Sequence, residues 1–118
     1  MTLTTLDAGV TITEPRDCDV ILHLNKSFLS NPGNLVLYRL IKENKAEYDR
    51  VTKRTEKTDI RKDIIAEVMN EIEGVTFWNK KNDSTWNHLE SDRDIGDRLR
   101  KLMNLLRMDK NGNLVWKE

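Results

Sequence analysis

Cys18, His23 and His88 are the side chains of this sequence best suited to hold a transition metal or to serve as nucleophile and base. Cys18 and His23 stand at the two ends of one apolar run, five residues apart, so alternation along a strand turns them to opposite faces. No zinc spacing links either of them to His88. Both histidines are therefore read as ordinary strand residues. Asp109-Lys110-Asn111-Gly112-Asn113-Leu114 starts like a calcium loop, but leucine stands where that loop turns on glycine, and no carboxylate follows at the twelfth position. There is no nucleophile elbow, P-loop or dinucleotide glycine pattern. The 20 carboxylates fall mostly on faces that helical spacing assigns to solvent. No enzymatic chemistry, metal or cofactor is expected.

Two groups of residues point to binding instead. Residues 39–62 hold nine basic and five acidic side chains, densest at Lys53, Arg54, Lys57, Arg61 and Lys62. Lys57, Arg61 and the adjacent Lys62 share one side of a predicted helix, where a stripe of charge could follow a phosphate backbone. Lys80 and Lys81 on a predicted hairpin would add a second contact. The plainer reading is a solvated, mixed-charge face. Trp78, Trp86 and Trp116 are candidate anchors for a protein partner, because tryptophan combines a large apolar area with one polar atom. The plainer reading there is that Trp78 and Trp86 cover the helices.

The elements that must position these residues follow from periodicity. Residues 18–24, CDVILHL, read as a buried strand. Asn31-Pro32 is a helix start, with asparagine as N-cap and proline at the first helical position. Leu37, Leu40, Ile41 and Tyr48 then predict a helix over 32–49. Ile60, Ile64, Val68 and Ile72 step by four, with Ile65 and Met69 alongside, and predict a second helix over 57–73 that ends at Gly74. Val75, Phe77 and Trp78, then a polar turn at 80–84, then Thr85, Trp86 and Leu89 read as a β-hairpin. Ser91 or Asp92 caps a third helix over 92–107, with its stripe at Ile95, Leu99, Leu102, Met103 and Leu106. Asn111-Gly112 between Met108 and Leu114-Val115-Trp116 predicts a terminal hairpin, or else a frayed tail.

The order strand, helix, helix, hairpin, helix predicts an α+β domain, with three amphipathic helices packed on a short antiparallel sheet. Its expected limits are 17–107, between a flexible leader over 1–16 and the hairpin or tail over 108–118. Within the leader, Val10-Thr11-Ile12-Thr13 alternates like an edge strand. A chain of 118 residues can bury its own core without staples. Lys plus Arg and Asp plus Glu both number 20, so no net field draws the whole protein to nucleic acid. One cysteine, no signal-like start and no apolar run of membrane length lead to the expectation of an intracellular protein, nuclear or cytoplasmic, without membrane insertion.

Asp19-Val20-Ile21 and, further on, Asn31-Pro32-Gly33-Asn34 carry a family resemblance. The sequence resembles a domain of unknown function abundant in diatoms and other stramenopiles, whose motif runs D-V-L, one residue, G-R-G, five residues, H-P-G-N. The G-R-G falls here on His23-Leu24-Asn25. Leu40-Ile41…Tyr48, Ile60…Ile64-Ile65-Ala66-Glu67-Val68, Gly74…Phe77-Trp78 and Trp86…Leu89 match the rest, so the resemblance spans about 19–107. It implies no established activity. A glycine-rich motif loop could nest an anion; here His23 and Asn25 offer only hydrogen bonds, while Asn31, Pro32, Gly33 and Asn34 read as a helix-starting turn. The sequence thus predicts a non-enzymatic module that binds a protein partner or joins a larger assembly. DNA binding through the basic face and the hairpin is the alternative.

Overall fold

The computed structural model describes residues 14–82 and 85–117, with the backbone alone at Lys81 and Asn82. The leader's Val10–Thr13 and the turn residues Asp83 and Ser84 lie outside the described residues. The elements are β1 (Val20–Ile21), α1 (Pro32–Arg50), α2 (Arg54–Glu71), β2 (Phe77–Asn82), β3 (Thr85–Leu89), α3 (Asp92–Asn104), β4 (Leu106–Met108) and β5 (Leu114–Trp116). This is the expected α+β domain. Its main sheet is mixed, in the order β1-β2-β3: β1 runs parallel to β2, and β2 runs antiparallel to β3. A parallel pair needs a long crossover, and α1 and α2 together supply it.

Each helix buries one stripe. Leu37, Leu40, Ile41 and Tyr48 of α1, Ile64 and Val68 of α2, and Ile95, Leu99, Leu102 and Met103 of α3 close over Val20, Phe77 and Leu89 of the sheet. Burying each such side chain contributes about 1.5–3 kcal/mol. On α2 the buried stripe is narrower than its spacing suggests. Ile65 is only half-buried and Met69 is 44% exposed.

Several boundaries differ from expectation, among them the turn expected over 80–84, where β2 runs on through Asn82, and the end of α2, at Glu71 and not 73. The predicted strand over 18–24 is hydrogen-bonded as a strand only at Val20–Ile21. α2 begins at Arg54, three residues early, because the Lys57 amide already bonds the Lys53 carbonyl at 3.1 Å. α3 stops at Asn104, because Leu106 leaves the helix to pair with Trp116 in a terminal hairpin. Asp109 nucleates that hairpin by accepting from the amides of Asn111 (2.9 Å) and Asn113 (2.8 Å), and Gly112 takes the left-handed φ of +82° that the turn needs. Leu114 and Trp116 of β5 pack against the core.

Candidate binding groove and motif loop

The motif loop is a clamp between β1 and the start of α1. Val20 donates to Thr76 O, just before β2, at 3.0 Å, and Leu22 donates to Trp78 O of β2 at 2.7 Å. Ile21 therefore faces the other edge, where an edge strand would leave its polar groups bare. Asn34 covers both. Its Oδ1 accepts from the Ile21 amide at 2.8 Å, and its Nδ2 donates to the Ile21 carbonyl at 2.8 Å. One side chain, fully buried, thus takes the place of a neighbouring strand. Asn31 does not cap α1 with its side chain as expected; its Nδ2 donates instead to Asp17 O (3.2 Å) and Asp19 O (2.9 Å). Pro32 does stand at the first helical position. At Gly33 a Cβ would lie 2.1 Å from Asp19 O, so this residue can only be glycine.

Asp19 ties the opposite side of the clamp. Its buried carboxylate accepts from the Arg16 amide at 2.9 Å, the Arg16 guanidinium at 2.9 and 3.1 Å, and the Thr76 amide at 3.0 Å. Burial pushes this carboxyl up, but the bonds from Arg16 and Thr76 together outweigh it and hold it below the usual carboxylate range. Arg16 also donates to Gly74 O at 2.6 Å, which draws the segment after α2 against β1. At the loop tip, His23 Nε2 meets Ser27 O at 3.0 Å, and Asn25 is exposed. His23 and the two clamp asparagines are thus bonded to backbone within the clamp and loop, while Asn25 faces solvent.

The tryptophans do not form one patch. Trp78 cannot anchor a partner: it is 1% exposed, its indole N–H donates to Thr76 Oγ1 at 2.8 Å, and its ring stacks on His88 at 4.7 Å. Trp86 is half-buried, with Lys80 Nζ 5.5 Å from its ring centroid. Trp116 sits on β5 against Phe28, with ring centroids 5.4 Å apart.

The basic cluster is also divided. Lys57 and Arg61 are spent within the fold. Lys57 Nζ donates to Tyr48 O at 2.6 Å above the Tyr48 ring, and Arg61 donates to Tyr48 Oη at 2.8 Å and Thr58 Oγ1 at 3.1 Å. Lys53, Arg54 and Lys62 are exposed and pair with no carboxylate among the described residues. Lys80 lies apart on β2, and the side chain of Lys81 lies outside the described residues.

Arg54, Arg61 and Lys62 do meet along a groove of about 1120 Å³ between α2 and α3. Ile65, Ala66 and Met69 make its apolar floor, and α3 adds Arg93 and Arg100. None of the α2 carboxylates Glu56, Asp59, Asp63, Glu67 and Glu71 lines it. Its acidic groups come from α3: Asp92, Asp94 and Asp97. Asp97 is already paired, with Arg100 at 2.8 Å and Lys101 at 3.3 Å, and those bonds hold its carboxyl below the usual range. Ser91 fixes the start of α3 by accepting from the Asp94 amide at 3.1 Å. Of the two residues that helical spacing sets alongside the core stripe, Ile65 is half-buried against the core, and Met69 is open to the groove. The available signal was their position one residue past Ile64 and Val68, on the flank shared with Arg54 and Lys62.

Among the described residues no three His, Cys, Asp or Glu side chains gather as a metal site, and no helix is long and apolar enough to cross a membrane. No curated protein and no solved structure matches the chain. Residues 19–107, from the Asp19 clamp through α3, match the family model described as Domain of unknown function (DUF6824), and the chain belongs to that family.

Proposed function

We propose that this domain is a non-enzymatic binding module, nuclear or cytoplasmic, that docks a protein partner in the groove between α2 and α3 and so joins a larger assembly. The observation that carries the reading is the groove floor. Ala66 and Met69 turn toward solvent and half-buried Ile65 is shared between core and groove, on a helix whose other face is used by the core. Met69 is 44% exposed, an apolar surface that folding leaves uncovered and that a partner would bury. We read the chain as a stramenopile-type member of its family in which the motif loop holds the scaffold and the helix pair does the binding. The test is affinity capture from native extract with the parent protein and Met69→Asp side by side. A partner retained by the parent and lost with Met69→Asp supports the reading; identical captures refute it.

DNA binding is the second reading, favoured by the exposed, carboxylate-free Lys53, Arg54 and Lys62. It requires an affinity for duplex DNA that falls steeply as salt rises; an affinity indifferent to salt would remove it.

A further inference from the structure

The distribution of charge on α2 identifies the kind of partner. This inference rests on the groove being the docking site, as proposed above. On α2, the cations Arg54, Arg61 and Lys62 line the groove, and all five carboxylates of the helix are turned away from it. The chain as a whole is neutral, so this is segregation and not surplus. Asp97, facing the groove from α3, is neutralised by Arg100 and Lys101, and the local field beside the apolar floor is positive.

Shape narrows the choice further. The α2 wall runs from Arg54 to Met69, which at 1.5 Å per residue is about 22 Å, or four helical turns. The backbone groups of two flanking helices are already hydrogen-bonded, so the walls offer an extended peptide no ladder to join. A helix brings its own backbone bonds and needs only side-chain contacts, the helix-in-groove mode. A DNA duplex would meet the cations but leave Ile65 and Met69 uncovered. We infer that the groove between α2 and α3 receives an acidic amphipathic helix of a protein partner, its apolar stripe on Ile65, Ala66 and Met69 and its carboxylates beside Arg54 and Lys62. Asp92 and Asp94, at the start of α3, repel such a helix at that end and so bias its orientation.

The test uses the full chain and three labelled probes in fluorescence anisotropy: a peptide of about 16 residues with leucine at helical spacing and glutamate elsewhere, the same peptide with lysine for glutamate, and a duplex oligonucleotide. The glutamate peptide is expected to bind about tenfold or more tightly than the lysine peptide. The double variant Arg54→Glu, Lys62→Glu should weaken it by about tenfold or more, as should Met69→Asp. All three positions are exposed, and far-UV circular dichroism verifies that each variant is folded. Equal binding of the two peptides, no response to the double reversal, or binding of the duplex in preference to the glutamate peptide overturns the inference. A native partner that is lost with Met69→Asp but kept by the double reversal overturns the acidic occupant alone; one kept by both variants overturns the docking groove as well.

Discussion

Asn34→Ala isolates the clamp at the root of the motif loop. The substitution removes the group that satisfies both the amide and the carbonyl of Ile21, each at 2.8 Å and out of reach of β2. A buried backbone group left without a partner costs about 1–3 kcal/mol. Two such groups, offset by no longer burying the polar asparagine itself, give an expected loss of about 2–4 kcal/mol. Set against a total stability of about 5–15 kcal/mol, the variant should still fold, with an earlier urea midpoint. Urea titration followed by tryptophan fluorescence measures this, and an unchanged slope would show that the loss belongs to the native state. Asn34→Asp tests whether volume is the cause. It keeps the shape and the acceptor for the Ile21 amide, but sets an oxygen against the Ile21 carbonyl, so at neutral pH it should destabilise at least as much as alanine. A loss below about 0.5 kcal/mol for either variant would refute the claim that Asn34 completes the sheet edge.

Gly33→Ala should cost more than 3 kcal/mol, on the order of a severe overpacking, because its Cβ would collide with the Asp19 carbonyl; a thermal melt matching the parent would contradict this. Asp19 carries an acid-sensitive share of stability: its folded pKa is depressed, so the contribution is present above its ordinary value of 3.8 and is lost as pH falls through the folded value. Asp19→Asn should therefore lose about 2–4 kcal/mol at neutral pH, with the gap to the parent narrowing below 3.8 in denaturation at stepped pH. Lys45 gives the same sign of pH dependence for a different reason, since here the charged form is the disfavoured one. It is 1% exposed, burial pulls its ammonium below the usual range of 10.5 despite the Asp49 carboxylate at 2.6 Å, and the unfolded chain binds the extra proton there. Stability should rise with pH between the folded value and 10.5; Lys45→Met should abolish that slope and stay within about 1 kcal/mol of the parent, or exceed it. Trp78→Ala should cost about 3–5 kcal/mol, whereas Trp86→Ala, at a half-buried site, should cost less in the same urea assay.

The helices were legible in the sequence because each buries a stripe at helical spacing, and the stripe survives any choice of neighbours. The groove was not. Met69 differs from Val68 by one step around the same helix, and only the placement of α3 leaves Val68 buried, Met69 open and Ile65 shared between core and groove. Asn31 and Asn34 illustrate a second limit. Asparagine before proline is the local mark of a cap, but the acceptors these two side chains use lie 12 to 14 residues away, on β1 and the turn before it. The parallel pairing of β1 with β2 was hidden for the same reason, since its partners Val20 and Phe77 are separated by two whole helices. Trp78 gave the clearest warning about composition. The residue type invited an interface, and register placed it under His88.

The clamp also holds the exposed tip of the segment between its two jaws from both ends. Between Ile21 and Asn31, Leu22 and Leu24 still serve the core and Phe28 packs on Tyr38 and Trp116, so only the tip can lengthen without touching the packing. Doubling such a loop costs only about 0.6 kcal/mol in closure entropy. Its tip at Asn25, Lys26 and Ser27 is exposed, and Lys26 already takes a left-handed φ of +45°. That tip is a natural insertion point, where an epitope or a fluorescent reporter can be carried outside the packed core.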